Sequence, residues 1–192
     1  MSSRSAVTKD AIAAAAAPVF GRYGYRKTTM DLIAQAAGVS RPAVYQYFDG
    51  KAAVYRAVAA RVGDETVRAA EAAAAHGATT AERLRSALGV KLDFVAGTVE
   101  ADYRNELALE AGSIAADVIA ETEARYAAVV EAVLASADDL GPFDESMPTA
   151  DAAALLIDAM IGIARSRATH DQMRERLRQL VDLAVRGLSA GR

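Results

Sequence analysis

The stretch from Thr28 to Lys51, TTMDLIAQAAGVSRPAVYQYFDGK, leaves a folding chain few choices. Thr28 is a predicted N-cap, and Asp31 three residues on stands where a weak capping box would place it. Met30, Ile33, Ala34 and Ala37 recur at helical spacing and predict a first helix of about two turns. Gly38 follows the last periodic residue, where a C-cap glycine in the left-handed region belongs. Val39 plugs the turn and Ser40 is the next N-cap. Pro42 falls in the first turn of a second helix, where its missing N–H would have had no partner anyway. Val44 and Phe48 face inward at i, i+4, which leaves Arg41, Ala43, Tyr45, Gln46 and Tyr47 on the outer surface of a helix barely two turns long.

Two helices joined by a three- to four-residue turn with a glycine form the helix-turn-helix pattern. In that pattern the second helix enters the major groove of DNA with its N-terminal residues nearest the bases. The side chains suit base reading. Arg41 can fork onto guanine O6/N7, Gln46 can pair with adenine, and Ala43 can touch a thymine methyl. Tyr45 and Tyr47 offer hydroxyls to phosphates and flat rings to sugars. The backbone N–H groups at the start of the first helix and at Lys51 are candidate anion sites. The competing reading is an ordinary αα-hairpin in a helical core, with half-buried tyrosines.

Charge favours the first reading. Residues 1–61 hold nine Lys/Arg against three acids, a net of +6, while the remaining 131 residues hold 13 bases and 22 acids, a net of −9. A basic head on an acidic body suits a polyanionic partner for the head alone.

The segment GYRKTTMDLIAQAAGVSRPAVYQYFDGKAAVYRAV resembles the DNA-binding domain of the tetracycline-repressor (TetR) family of bacterial regulators. The matching features are Phe20, Gly24-Tyr25, Thr28-Thr29, Ile33-Ala34, Ala37-Gly38-Val39-Ser40, Tyr45-x-Tyr47-Phe48 and Lys51, over roughly residues 8–61. The chain departs from the pattern at Gly50, where a Ser-like cap often precedes the lysine, and at Pro18 inside the first helix. The resemblance implies an all-α protein: a three-helix helix-turn-helix domain at 1–61 and a larger helical ligand-binding and dimerisation domain at 62–192, about nine helices in all. It implies DNA contacts from Thr28, Thr29, Ser40, Arg41, Pro42, Ala43, Tyr45, Gln46, Tyr47 and Lys51. It further implies a palindromic double-stranded operator, a small-molecule effector and a homodimer, with repression the commonest mode. An activator, a binder without ligand, or a dimeric ligand-binding module with a vestigial helix-turn-helix are the alternatives.

Along the rest of the chain, a first helix is predicted from about Thr8 to Tyr23, kinked near Ala14 by Pro18 and ended by Gly24. A long helix begins at Lys51 and continues to about His76-Gly77, and so links head and body. Further helices are predicted from Thr79/Thr80 to Gly97, Ala101 to Gly112 and Ser113 to about Ala137. On the last of these, Val118, Thr122, Tyr126, Val129 and Val133 share a face. Asp138 to Pro148 is the clearest loop, with Gly141, two prolines and four acids.

The final two helices bear on assembly. Ala152 to Ala164 is apolar almost all round, with only Asp158 interrupting, and a helix of that kind needs cover on every side. The last helix repeats Met173, Leu177, Leu180, Val181, Ala184, Val185 and Leu188. Two such helices from each of two chains predict a four-helix bundle across a dyad, with Ala159, Gly162 and Ala164 permitting close approach.

Catalysis finds no support: there is no Gly-rich phosphate loop, no nucleophile elbow and no H-E-x-x-H. No cysteine and only His76 and His170 argue against metal sites, and no cofactor is expected. The absence of an 18-residue apolar run or a signal-peptide pattern fits a cytoplasmic protein that does not span a membrane. A ligand pocket among the body helices is expected to draw on Phe94, Tyr103, Glu106, Thr122, Tyr126, Asp158 and Met160. Asp158, an acid inside an apolar run, is expected to need a partner: Arg165, Arg167, a residue across the dyad, or a ligand.

Overall fold

A computed structural model describes residues 8–97, 113–143 and 146–189. Eight helices account for its regular structure: α1 Lys9–Lys27, α2 Met30–Ala36, α3 Arg41–Tyr45, α4 Lys51–Ala74, α5 Thr80–Gly97, α6 Ala116–Ala135, α7 Thr149–Ala164 and α8 His170–Ser189. The helix expected over 101–112 lies outside the described residues, and Tyr103 and Glu106 with it. Among the described residues, no helix is long and apolar enough to cross a membrane.

The chain divides into two compact units. The N-terminal unit runs to Gly63 and also takes in residues 113–120; the C-terminal unit begins at Asp64 and regains the chain at Glu121. Ala115 is fully buried in the N-terminal core, and Ile114, Val118 and Ile119 pack beside it.

The N-terminal core gathers Ile12, Ala16 and Phe20 from α1, Met30, Ile33 and Ala34 from α2, Val44 and Phe48 around α3, and Val54, Tyr55 and Val58 from α4. Phe20 and Tyr25 each meet the Tyr55 ring edge-on, with centroids 5.0 and 5.3 Å away. Three of its helices begin with a side-chain cap: Thr8 accepts from Ala11 N–H, Thr29 from Leu32 N–H and Ser40 from Ala43 N–H.

Two expectations about this region change. α1 does not stop at Tyr23 but runs to Lys27, and its only non-helical residue is Gly24 (φ 70°, ψ 170°), so the break sits there and not near Ala14. Only glycine takes that backbone without strain. The extra turn moves Thr28 to the C-terminal end of α1, where its N–H and its hydroxyl both donate to Gly24 O, at 3.3 and 2.7 Å. Thr29, not Thr28, is the N-cap of α2.

The C-terminal core is built from Val67, Ala70 and Ala74 of α4, Leu84, Leu88 and Leu92 of α5, Tyr126, Val130, Val133 and Leu134 of α6, Leu156, Ile157 and Met160 of α7, and Met173, Leu177 and Val181 of α8. On α6 the buried face is Tyr126, Val130, Val133 and Leu134, while Thr122 and Val129 are only half-buried. Asp158 is exposed, because α7 buries Ala153, Leu156, Ile157 and Met160 and turns Ala154, Leu155 and Asp158 outward. It therefore needs no buried partner within this chain. In each unit α4 and α6 are joined by one ion pair with the same offset of 61 residues: Arg56 to Asp117 in the first, Arg125 to Asp64 in the second.

Candidate nucleic-acid interface

The turn between α2 and α3 is fixed by its backbone. Gly38 adopts φ 65°, the left-handed conformation that ends a helix without strain in glycine. Its N–H donates to Gln35 O, and Val39 N–H to Ala34 O at 3.0 Å, so the carbonyls at the end of α2 are satisfied. Ser40 then starts α3 with Pro42 in its first turn. After Tyr45 the coil tightens, and both Tyr47 and Phe48 N–H groups donate to Val44 O, at 3.0 and 3.1 Å. Val44 and Phe48 are buried, which locks the short helix by its inner face.

Of the ten residues expected to meet DNA, Thr29, Ser40, Arg41, Pro42, Tyr45, Gln46 and Tyr47 are exposed, and Ala43 and Lys51 are half-buried. Tyr45 and Tyr47 are among the few large apolar side chains left in solvent. Rings displayed like that, next to a guanidinium, suit sugar and base edges. Thr28 is the exception, at 1 % exposure, with its hydroxyl spent on Gly24 O; it shapes the entry into α2 and offers nothing outward.

The Lys51 side chain turns back onto α1. Its ammonium donates to Tyr25 O at 2.7 Å and to Arg26 O at 3.3 Å, and lies 4.3 Å from the Tyr25 ring centroid. Lys51 thus acts as a cap from a distance on the C-terminal end of α1, where a cation is favoured by the helix dipole. Arg41 is held on two sides. Its Nη1 is 3.1 Å from Asp31 Oδ2, and its guanidinium carbon lies 5.7 Å from the Tyr45 ring centroid. Tyr45 first and Asp31 next raise its already high pKa, so its charge is permanent. The link between Asp31 and Arg41 had no signal in the sequence, since the two residues lie ten apart on different helices.

Of the residues proposed for a ligand pocket, Tyr103 and Glu106 lie outside the described residues, and the others differ in burial. Tyr126 and Met160 are fully buried core residues, Phe94 is exposed, Thr122 is half-buried and Asp158 faces solvent. Tyr126 donates to Ala87 O at 2.9 Å, and burial first, then Glu123, push its hydroxyl well above the usual phenol range. The described cavity is a groove of about 480 Å³ in the C-terminal unit, lined by Val67, Glu71, Ala74 and Ala75, by Arg83, and by Arg125, Ala128, Val129, Ala132 and Val133. Arg83 is tied to Ala74 O and Ser136 Oγ, both at 3.1 Å, and Arg125 to Asp64 at 2.5 Å. Among the described residues, no group of three or more His, Asp or Glu side chains is placed to hold a metal.

Residues 12–58, which hold the caps, the turn and the exposed reading surface, match the family described as bacterial regulatory proteins, tetR family. Over 95 % of this chain and 98 % of the other, the fold superposes on a bacterial regulatory protein of the tetR family from Rhodococcus RHA1, at 25 % identity and a TM-score of 0.65. Residues 12–58 thus carry the helix-turn-helix of the tetR family. A second similar fold is that of the fatty acid degradation regulator FadR from Bacillus halodurans, at 20 % identity and a TM-score of 0.70 over 90 % of this chain and 93 % of that one. In sequence, the HTH-type transcriptional activator FasR of Mycolicibacterium smegmatis is 40 % identical over 81 residues, 42 % of this chain. That match spans only 37 % of the activator's length. The family match is thus placed on residues 12–58, and the rest of the chain is shared with these structures as a fold.

Proposed function

We propose that this protein is a tetR-family, sequence-specific, DNA-binding transcriptional regulator that works as a homodimer and responds to a small molecule. The observation that carries the reading is the outer face of α3: Arg41, Tyr45, Gln46 and Tyr47 stand exposed on a helix whose inner face and both ends are fixed. Such a helix is rigid enough to read base edges. The head's net charge of +6 over residues 1–61 supplies the attraction for phosphates.

Dimerisation is supported by the outer faces of α7 and α8. Leu155 is 58 % exposed and Leu183 72 %, with Gly162 also open to solvent. A second copy would cover them, as the apolar character of α7 requires. For the effector, the groove in the C-terminal unit has alanine and valine walls and two arginines and a glutamate at its edges. It suits a ligand with an apolar body and a polar end. α4 contributes Val54, Tyr55 and Val58 to the N-terminal core and Val67, Glu71 and Ala74 to the groove, so one continuous helix belongs to both. A ligand that favours one placement of α4 shifts DNA affinity only by its differential affinity for the two states, and DNA must weaken ligand binding by the same factor.

Release from an operator gives repression; the similarity to a transcriptional activator over 42 % of this chain favours activation as the second reading. The deciding experiment selects duplexes from a random library with the wild-type protein and titrates the winner against salt. A palindromic site, with half-sites about 34–36 Å apart or a multiple of that, is expected, together with a steep loss of affinity as salt rises. Arg41→Ala should cost about 1–3 kcal/mol and relax one position of the site. Failure to enrich any sequence would remove the reading.

A further inference from the structure

Asp31 is an acid in a face otherwise suited to phosphates. It lies in the first turn of α2, exposed, and its Oδ2 meets Nη1 of Arg41 at 3.1 Å. Arg41 is the first residue of α3, and Tyr45, one turn further on, sets its guanidinium from the other side at 5.7 Å. The three side chains come from two helices fixed by the Thr29 and Ser40 caps, so their spacing is set by the backbone. A carboxylate here weakens any non-specific attraction to DNA, because it offsets the nearest cation and repels phosphate itself. It leaves the other edge of the guanidinium available for a base.

We infer that Asp31 is a specificity-determining residue, which orients Arg41 for base reading and cancels its charge toward phosphate. This rests on the DNA-binding reading above. On a wrong sequence, the Arg41–Asp31 pair is neutral and adds little to binding. On the right one, Arg41 is already ordered, so less side-chain entropy is lost when it engages guanine. Asp31 therefore lowers affinity for non-cognate DNA while supporting affinity for the cognate site.

The test compares the duplex that the wild-type protein selects from a random library with a scrambled duplex of equal length. Asp31→Asn is expected to bind the scrambled duplex more tightly and to steepen its log–log salt slope by about 0.9, which is a three- to fourfold larger loss between about 50 and 200 mM salt. The ratio of selected to scrambled affinity should fall at least about fivefold, the low end of what one two-pronged base contact is worth. Asp31→Glu, which keeps the charge, should restore most of that ratio. With Arg41→Ala already in place, Asp31→Asn should leave the ratio unchanged, since the partner it acts through is gone. An unchanged ratio in Asp31→Asn, or an equal fall with and without Arg41, overturns the inference. A wild-type protein that enriches no sequence overturns the DNA-binding reading on which it stands.

Discussion

Around the helix-turn-helix, polar groups find partners near them in sequence; in the C-terminal unit many find them far away. Thr29 and Ser40 cap the helices they begin, Thr28 closes on Gly24, and Arg41 reaches only ten residues back to Asp31. Lys51, bonded to Tyr25 and Arg26, is the longer exception. In the body, Thr80 bonds Asp139, Lys91 pairs with Glu123, Arg85 reaches Asp182, and Asp93 holds both His170 and Arg174. The first arrangement gives a small reading surface its shape from a short stretch of chain. The second ties α5 to α6, to α8 and to the loop after α6, so the body's shape depends on segments far apart in the chain.

The largest expected effect tests whether the body's exterior governs the head's function. A Cβ added at Gly162 meets nothing within 4 Å, so Gly162→Glu should fold normally as a single chain. If α7 and α8 form the dimer seam, light scattering should report monomers. Affinity for a two-fold operator should drop about a hundredfold or more as the two heads lose their tether. A dimeric Gly162→Glu protein with unchanged affinity would place the seam elsewhere.

Next in size is a cavity in the body. Leu92 is fully buried, and Leu92→Ala should cost about 2–5 kcal/mol in urea unfolding. Amide exchange at residues 28–48 should change little under native conditions, since their ties are local. Equal loss of protection in both regions would mean that they open together and that the contrast is only one of appearance.

A smaller effect sharpens the local half. Thr29→Ala removes the side-chain acceptor for Leu32 N–H and should destabilise the head by about 0.5–2 kcal/mol, seen as faster exchange at the start of α2. No change there would mean that packing of Ile33 and Ala34, and not the cap, holds that end.

The smallest effect depends on pH. Arg56 grips Asp117 with two hydrogen bonds of 2.6 Å, and that bonding is the main reason its pKa falls to about 2 from an ordinary 3.8. A depressed carboxylate contributes stability above its unfolded-state value and loses it as pH falls through the folded one. Wild-type protein and Asp117→Asn should therefore differ in stability at neutral pH and converge between about pH 4 and 2. The side chains are largely exposed, so added salt should also shrink the difference. A difference that persists at pH 2 would assign the effect to packing.

The sequence by itself determined the helix-turn-helix: its two helices, the glycine turn at Gly38, the Ser40 cap, the buried pair Val44 and Phe48, and the outward set from Arg41 to Tyr47. All of these follow from interactions within a few residues, which a periodic pattern records directly. Only the tertiary structure decided what depended on neighbours distant in the chain. It moved the cap from Thr28 to Thr29 by extending α1 through Gly24, and it turned the Lys51 ammonium back onto α1. It gave the start of α6 to the N-terminal core, set Asp158 in solvent and buried Met160. It formed the groove from residues between Val67 and Val133 that share no pattern. The physical reason is the same each time: helical periodicity fixes which side chains share a face, but what that face meets is set by packing between segments that sequence spacing does not encode.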